Sequence, residues 1–337
     1  MVLLSVLDQS PVRSGSTPAE AIQETLRLAE AVERLGYHRY WMAEHHSSGA
    51  LGCASPEILI GQIAARTSRI RVGSGGVLLS HYSALKVAEN FRMLEALFPG
   101  RIDLGIGRAP GGGERASIAL AEGPGALGVE YFPRRVADLI RFLHDRLEPD
   151  HPFAGVRAMP AGPTAPEIWL LGSTAGSATY AAHFGTAFSF ANFINPEGGA
   201  DVVRAYAEHF RPSPDLAAPR ASVAVFVVCA DTEVEARRLA QSRQYWIVRS
   251  HSGNRGPYPL VAEAEAHLYT PQELAVAEYN RGRTIVGAPE QVRDHLLAMA
   301  ENYGFEEFVV LTITEDYATR LHSYELLAQV FELDRPG

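Results

Sequence analysis

The sequence predicts an α/β fold, a single (β/α)8 barrel of the TIM type with long loops over the carboxyl ends of its strands. Short apolar or β-branched segments alternate with longer amphipathic segments from end to end, which is typical of parallel βαβ units. Eight short segments can be counted, and that number suits a closed barrel better than an open doubly wound sheet. Barrels routinely exceed the usual size of one domain, so the 337 residues are interpreted as one domain, 1–337.

The predicted strands are runs of apolar and β-branched residues, and the predicted helices are longer amphipathic stretches. The strands are Leu3–Leu7, Arg39–Ala43, Arg71–Ser74, Ile102–Ile106, Ile168–Leu171, Ala187–Ala191, Ser222–Cys229 and Phe308–Thr312. The helices are Thr17–Leu35, Pro56–Thr67, Ser83–Leu97, Phe132–Leu147, Thr174–Phe184, Pro196–Phe210, Glu233–Val248, Pro289–Tyr303 and Tyr317–Phe331. Two helix starts carry capping signals, because Thr17 and Ser55 each precede a proline.

Two long connections interrupt this alternation, and we interpret them as inserted loops. They span about residues 109–128 and 249–270, and both are rich in glycine or proline. Long loops without secondary structure in a compact domain are usually lids or binding loops. Both are expected over the mouth of the barrel.

Composition excludes several classes of protein. With 47% hydrophobic and 20% charged residues, the chain is neither disordered, collagen-like nor a coiled coil. A formal net charge of -9 with dispersed charges makes nucleic acid an unexpected partner. No apolar run is long enough to cross a bilayer, and no targeting pattern is visible at the start, so a cytoplasmic protein without a membrane partner is expected. The two cysteines form no Cys-x-x-Cys pair, and no metal site is expected.

The polar residues that follow the strands are the first candidates for chemistry, because active sites of this fold lie at the carboxyl ends of the strands. They are Asp8-Gln9-Ser10, Glu44-His45-His46, Gly75-Gly76, Gly107-Arg108, Gly172-Ser173-Thr174 and Asn192. At most one of His45 and His46 is expected at the centre, since successive side chains of an extended segment point to opposite faces. A histidine near neutral pKa could act as acid, base or hydrogen-bond donor; a solvated loop histidine is the alternative.

Glycines and hydroxyl residues suggest how a flat, anionic ligand could bind. Gly75 and Gly76 permit close approach of backbone to a planar ring, although a tight turn would explain them equally well. The stretch from Gly172 to Ser177 leaves a strand and enters a helix, where Ser173, Thr174 and the helix N-terminus favour a phosphate. A plain N-cap is the alternative. Arg108 could supply the compensating charge, if it is not simply a surface arginine.

Five segments in the same order resemble the bacterial luciferase-like flavin monooxygenases. They are Leu7-Asp-Gln-Ser-Pro11, Ala43-Glu-His-His46, Gly73-Ser-Gly-Gly-Val-Leu-Leu79, Phe98-Pro-Gly-Arg-Ile-Asp-Leu-Gly-Ile-Gly-Arg108 and Trp169-Leu-Leu-Gly-Ser173. The likeness continues to Ile285-Val-Gly-Ala-Pro-Glu-Gln-Val292 and so covers most of the chain.

The resemblance implies a homodimeric barrel that takes reduced FMN from a separate NAD(P)H:flavin reductase. Reaction with O2 then gives a C4a-(hydro)peroxyflavin that oxygenates a small organic substrate, which could be a secondary metabolite. By the same resemblance His45 is catalytic and Gly75-Gly76 is a non-prolyl cis peptide beside the flavin ring. Arg108, Tyr131, Gly172, Ser173, Thr174 and Ser177 are then the cofactor-binding residues.

The sequence departs from the family pattern at one position, and two alternative functions are also considered. The aldehyde-oxidising luciferases of the family carry a cysteine where this chain has Gly107, so light emission and a long-chain aldehyde substrate are not expected. The first alternative keeps the barrel but uses the deazaflavin F420 for hydride transfer. The second is a non-catalytic flavin-binding relative, against which the intact His45 and both loops argue. Phe190, Phe193, Tyr258 and Tyr269 are candidates for an apolar substrate pocket.

Overall fold

A computed structural model describes residues 2–120 and 128–333 and confirms the predicted barrel. The strands are Leu3–Asp8 (β1), Arg39–Met42 (β2), Arg71–Leu78 (β3), Ile102–Gly107 (β4), Glu167–Gly172 (β5), Ala187–Ala191 (β6), Ala221–Cys229 (β7), Ile285–Gly287 (β8) and Glu307–Leu311 (β9). Neighbouring strands run parallel in the order β6-β5-β4-β3-β2-β1-β9-β7, and pairing of β6 with β7 closes the sheet on itself.

Helices connect the strands and cover the outside of the barrel. They are Pro18–Arg34 (α1), Pro56–Arg66 (α2), Ala84–Leu97 (α3), Glu114–Leu120 (α4), Phe132–His144 (α5), Ala175–Phe184 (α6), Gly199–Glu208 (α7), Glu233–His251 (α8), Val261–Ala266 (α9), Pro271–Asn280 (α10), Pro289–Tyr303 (α11) and Tyr317–Val330 (α12). None of the helices in the described ranges is long and apolar enough to cross a membrane.

The strands are buried on both faces, as expected for a parallel sheet covered by helices. Alternate residues therefore enter two different apolar clusters. Tyr40 and Met42 of β2 join the cluster between sheet and helices, whereas Trp41 joins the one that fills the barrel. Inside the barrel Trp41 packs edge-on against Trp169, with ring centroids 5.2 Å apart.

Charged residues close the end of the barrel at which the strands begin. Arg39, the first residue of β2, donates to Asp103 of β4 and to Glu307 of β9 at 2.8 Å each. Arg71 at the start of β3 also pairs with Asp103, and Glu167 at the start of β5 lies 3.2 Å from Arg39. A cavity of about 670 Å³ lies beside these ion pairs and is lined by Arg71, Glu167 and Arg220. The candidate residues identified from the sequence lie at the opposite end, where active sites of this fold are found.

Strand β8 was not among the predicted strands. It pairs with the last three residues of β7, through Val227 with Ile285 and Cys229 with Gly287. That segment of β7 lies beyond the register of β6 and β9, which ends at Ala224 and Phe226 respectively. A three-residue strand is too short to produce a recognisable alternation, so β8 could not be predicted from the pattern of the sequence.

The two predicted loops contain more regular structure than their composition indicated. Helix α4 lies within 109–128, helix α9 lies within 249–270, and α8 continues to His251 instead of ending at Val248. The prediction of helix-free loops is wrong in these segments. Residues 121–127 of the first loop lie outside the described residues.

Candidate active site

A cavity of about 660 Å³ opens at the carboxyl ends of the strands. We call it the first lobe. It brings together eight of the nine residues predicted for the site, namely His45, Gly75, Gly76, Arg108, Gly172, Ser173, Thr174 and Ser177. Tyr131, the ninth, is not among its lining residues and lies exposed immediately before α5.

A second cavity of about 450 Å³ adjoins the first, and we call it the second lobe. The two cavities share Gln9, His45, Gly111, Phe193 and Ile194, so they form one cleft. Residues of α8 and of the segment after α10 line the far side of the second lobe. Both volumes fall in the range usual for small-molecule sites.

His45 stands where the two lobes meet. Its backbone N–H donates to the Cys53 carbonyl at 2.8 Å, which fixes the segment that carries the ring. Neither ring nitrogen has a hydrogen-bond partner in the described part of the chain, and Nδ1 is buried. Burial lowers the pKa of His45 to about 4, with a smaller contribution from His46. The ring is therefore neutral at pH 7, and a cationic acid, one of the roles considered from sequence, is not its resting form.

Glu44 contacts the ring of His46 but not that of His45. Its carboxylate lies 2.6 Å from His46 Nε2, and it accepts a hydrogen bond from the Tyr82 hydroxyl at 2.6 Å and another from the Leu78 backbone N–H at 2.9 Å. Both imidazoles reach the second lobe, but only that of His45 also lines the first. His45 is thus the histidine left without a protein partner.

The wall formed by Gly75 and Gly76 is backbone without side chains. The peptide bond between these residues is cis, as the family resemblance implied. A Cβ at Gly76 would lie 2.7 Å from the Gly105 carbonyl oxygen, closer than real Cβ contacts. The position therefore requires glycine, and the bare peptide offers a flat face to a planar ring.

Another part of the first lobe carries groups that can bind an anion. Thr174 is the N-cap of α6, but its hydroxyl makes no capping bond. Gly172 packs so closely on Ser177 that a Cβ would lie 2.2 Å from the serine Oγ, which holds the hydroxyl at the strand-to-helix turn. Arg108 is exposed to the same cavity and has no ion pair among the described residues. Hydroxyls, free N–H groups and a cation converge there, as a phosphate requires.

Gln9 was noted at the end of β1 but was not selected as a site residue. It is buried, lines both lobes, and its amide has no hydrogen-bond partner in the described ranges. The preceding Asp8 is held by Arg320 of α12 at 2.8 Å, and a buried ion pair thus fixes the end of this strand. Its position next to a strand end was the signal available in the sequence.

Of the four aromatic residues considered for a substrate pocket, only Phe193 lines the cleft. Phe190 is part of the core between sheet and helices. Tyr258 is buried behind Trp246, with ring centroids 6.0 Å apart, and Tyr269 packs on Tyr245. Trp41 of β2 also lines the first lobe, and Trp246 of α8 lines the second. Trp246 could not be selected from the sequence, because the pattern of α8 does not indicate which of its faces meets the mouth.

These features fit a flavin mononucleotide. The bare Gly75-Gly76 peptide suits its ring, and the converging donors around Thr174 suit its phosphate. In the described ranges no group of three or more His, Cys, Asp or Glu side chains is placed to hold a metal ion.

Comparison with known proteins yields a family match, similar sequences and similar solved structures. The family model described as luciferase-like monooxygenase matches residues 2–307. The chain is 37% identical to the N-acetyl-S-alkylcysteine monooxygenase of Bacillus subtilis, covering 97% of this chain and 98% of that one. The crystal structure of apo-MsnO8 superposes with a TM-score of 0.91 at 41% identity over 100% of both chains. The oxygenating constituent of 3,6-diketocamphane monooxygenase from Pseudomonas putida, solved in complex with FMN, has a TM-score of 0.70 at 19% identity and covers 100% of this chain and 99% of its own.

Proposed function

This chain belongs to the luciferase-like monooxygenase family and is an oxidoreductase, and from that premise we propose that it is an FMN-dependent monooxygenase of the two-component type. It would take reduced FMN from a separate NAD(P)H:flavin reductase and use O2 to oxygenate a small organic substrate.

The observation that carries this proposal is the convergence of three features in one cleft. A flat peptide wall at Gly75-Gly76, a phosphate-type site at Thr174 and Ser177, and an unpartnered neutral His45 all line the first lobe. The camphane monooxygenase constituent, which shares the fold, was solved with FMN.

The protein contributes position, hydrogen bonds and exclusion of water. Thr174, Ser177 and Arg108 would hold the phosphate, and Gly75-Gly76 would lie against the ring. When bound, reduced FMN supplies the electrons that activate O2. Neutral His45 can donate one hydrogen bond and accept another at the junction of the lobes, which makes it suitable for moving a proton there. Residues 109–112, before α4, and residues 250, 251 and 255, before α9, line the cleft and would restrict access of water.

Flavin titration and oxygen uptake test the proposal together. The purified chain should bind reduced FMN and, with a flavin reductase and NADH, consume O2 in step with an oxygenated product. Turnover that proceeds without oxygen and depends on F420 would replace the proposal by the hydride-transfer alternative. Flavin binding with no turnover under either condition would favour a non-catalytic relative.

Helices α2 and α3, which pack against each other, present exposed apolar side chains and support a homodimer as part of the proposal. Ile58 is 66% exposed, Leu97 61% and Met93 52%. Large apolar groups clustered on one face commonly mark a protein interface.

A further inference from the structure

The second lobe is positively charged and has no acid in its lining. Three arginines, Arg243, Arg255 and Arg283, line it, and no Asp or Glu of the described residues does so. The molecule as a whole carries a net charge of -9, so this local excess of cations does not follow from composition.

Arg243 is the one of these three arginines whose side chain is buried. It lies on α8, is 7% exposed, and no carboxylate pairs with it in the described part of the chain. Its Nε donates to the Thr284 hydroxyl at 2.8 Å, and its guanidinium stacks 3.5 Å from the centroid of the Phe226 ring. The two terminal nitrogens have no hydrogen-bond acceptor among the described residues, although they are strong donors.

A buried cation that has no paired anion is energetically unfavourable. Buried charges are normally paired, because the cost of removing an ion from water far exceeds what a ring face returns. Burial lowers the pKa of Arg243 to about 10; Tyr258 opposes this change, and repulsion from Arg283 adds to it. Two neighbouring like charges without a counter-ion are stabilised when an anion binds between them or beside them.

Arg243 lines a cavity that adjoins the expected flavin site. The second lobe shares His45 and Gln9 with the first lobe, which is the one expected to hold the flavin. The phosphate-type site at Thr174 and Ser177 lines only the first lobe. An anion bound by Arg243 would therefore be a different group from the cofactor phosphate.

We propose that the second lobe binds the negatively charged group of the organic substrate, a carboxylate or a group of like charge, with Arg243 as its direct ligand and Arg283 as a second cation. The planar donors of Arg243 suit the two oxygens of a carboxylate. The part of the substrate to be oxygenated would then extend toward His45 and Gly76. This inference rests on the proposed function, since it assigns the substrate class of the same site.

Calorimetric titration of the full-length protein with hexanoate and with hexanamide tests the inference. The two probes are equal in length and differ in charge. The wild type should prefer hexanoate by about tenfold or more, because the carboxylate pairs with a buried charge and the amide does not. In Arg243→Gln the preference should disappear, and in Arg243→Lys part of it should remain. Equal binding of the two probes by the wild type, no detectable binding of hexanoate, or a preference that survives Arg243→Gln would overturn the proposal.

A matched control is available on the same helix. Arg237 is exposed and paired with Glu233, so Arg237→Gln should keep the full preference for hexanoate. Thermal unfolding of each variant establishes that it is folded. If Arg243→Gln does not fold, Arg283→Gln takes its place, and a preference undiminished by it would count against the proposal.

FMN titration separates this inference from the proposed function. Arg243→Gln should bind FMN as the wild type does. If it lost FMN affinity as Arg108→Gln is expected to, the second lobe would hold the flavin phosphate and the proposal would be wrong. A wild type that prefers hexanoate but binds no FMN would refute the proposed function and leave the anion site standing.

Discussion

His45 is a residue whose environment determines its chemistry. His45 is half-buried at the junction of two cavities, and its buried Nδ1 has no hydrogen-bond partner in the described part of the chain. Its ring therefore loses part of the solvation that stabilises the charged form. A neutral imidazole can accept a proton or a hydrogen bond from a bound ligand without first having to lose a proton of its own.

Its lowered pKa also predicts how stability changes with pH. Between pH 6.5, where a free imidazole titrates, and pH 4, where His45 titrates, the unfolded chain binds a proton that the native state does not. The contribution of His45 to stability is therefore fully present above pH 6.5 and is lost as the pH falls through that window. By pH 4.5 the wild type should lose about 2–3 kcal/mol more than His45→Gln. Urea unfolding of both proteins at pH 7 and pH 4.5 measures the difference; parallel losses would contradict it.

A second prediction for His45 concerns flavin oxidation. When the reduced complex is mixed with O2, the wild type should delay the return of oxidised FMN absorbance. His45→Gln should bind FMN normally and shorten this delay by about tenfold or more, because a positioned proton donor or acceptor is lost. His46→Gln, whose ring is already held by Glu44, is the matched control. Stopped-flow traces that coincide for wild type and His45→Gln would remove His45 from the mechanism.

Gly172 gives a steric prediction at the phosphate-type site. Gly172→Ala would place a Cβ 2.2 Å from Ser177 Oγ, so the serine must move and the anion site must open. FMN affinity should fall at least tenfold, about 1.4 kcal/mol. Gly176→Ala, where the nearest atom is 3.9 Å away, should leave it unchanged. Fluorescence titration with FMN and with riboflavin measures both; equal losses for the two ligands would show that the phosphate is not involved.

At the scale of the elements, the ion pair between Asp8 and Arg320 connects β1 to α12, and a single substitution can break it. Asp8 and Arg320 are both fully buried and pair at 2.8 Å. The hydroxyls of Tyr40 and Thr25 and the Ser10 backbone N–H also donate hydrogen bonds to the carboxylate. This pair holds the strand end that presents Gln9 to the cleft.

Removing the arginine should therefore be costly. Arg320→Met leaves Asp8 buried without its counter-charge and should lower the free energy of unfolding by about 3–5 kcal/mol. Adding Asp8→Asn should recover part of the loss. Arg237→Gln, which breaks an exposed pair, should cost less than about 1 kcal/mol. Chemical denaturation of the four proteins is the measurement, and equal effects of the two arginine substitutions would refute the argument.

The elements also show what could be predicted from sequence. The barrel strands were predictable because strands buried on both faces are continuous apolar runs, and the strand-end residues of the first lobe followed from them. Helix α10 was missed, although Thr270, Pro271 and Glu273 form a capping signal at its start. Arg243 and Trp246 could not be predicted, since the side of α8 that faces the cleft is set by packing between distant segments.

For the whole molecule, the exposed apolar faces of α2 and α3 predict a second copy. A chain of 36.6 kDa should elute with twice that mass, and Leu97→Glu should shift it toward the monomer, because a charge would be buried without a partner. Light scattering of both proteins measures this. A wild-type monomer would contradict the prediction, and Leu268→Glu, at a 91% exposed position in another segment, should have no effect.

The ion pairs that join Arg39, Asp103 and Glu307 lie at the opposite end of the barrel from the cleft. This ion-pair network is thus separated along the barrel axis from the residues that select the ligand, whereas the Asp8–Arg320 pair lies at the cleft end. Descendants of this chain could exchange the residues around Arg243 for a new substrate while the ion pairs at the far end stayed intact. The barrel can therefore diverge in specificity without a matching loss of stability.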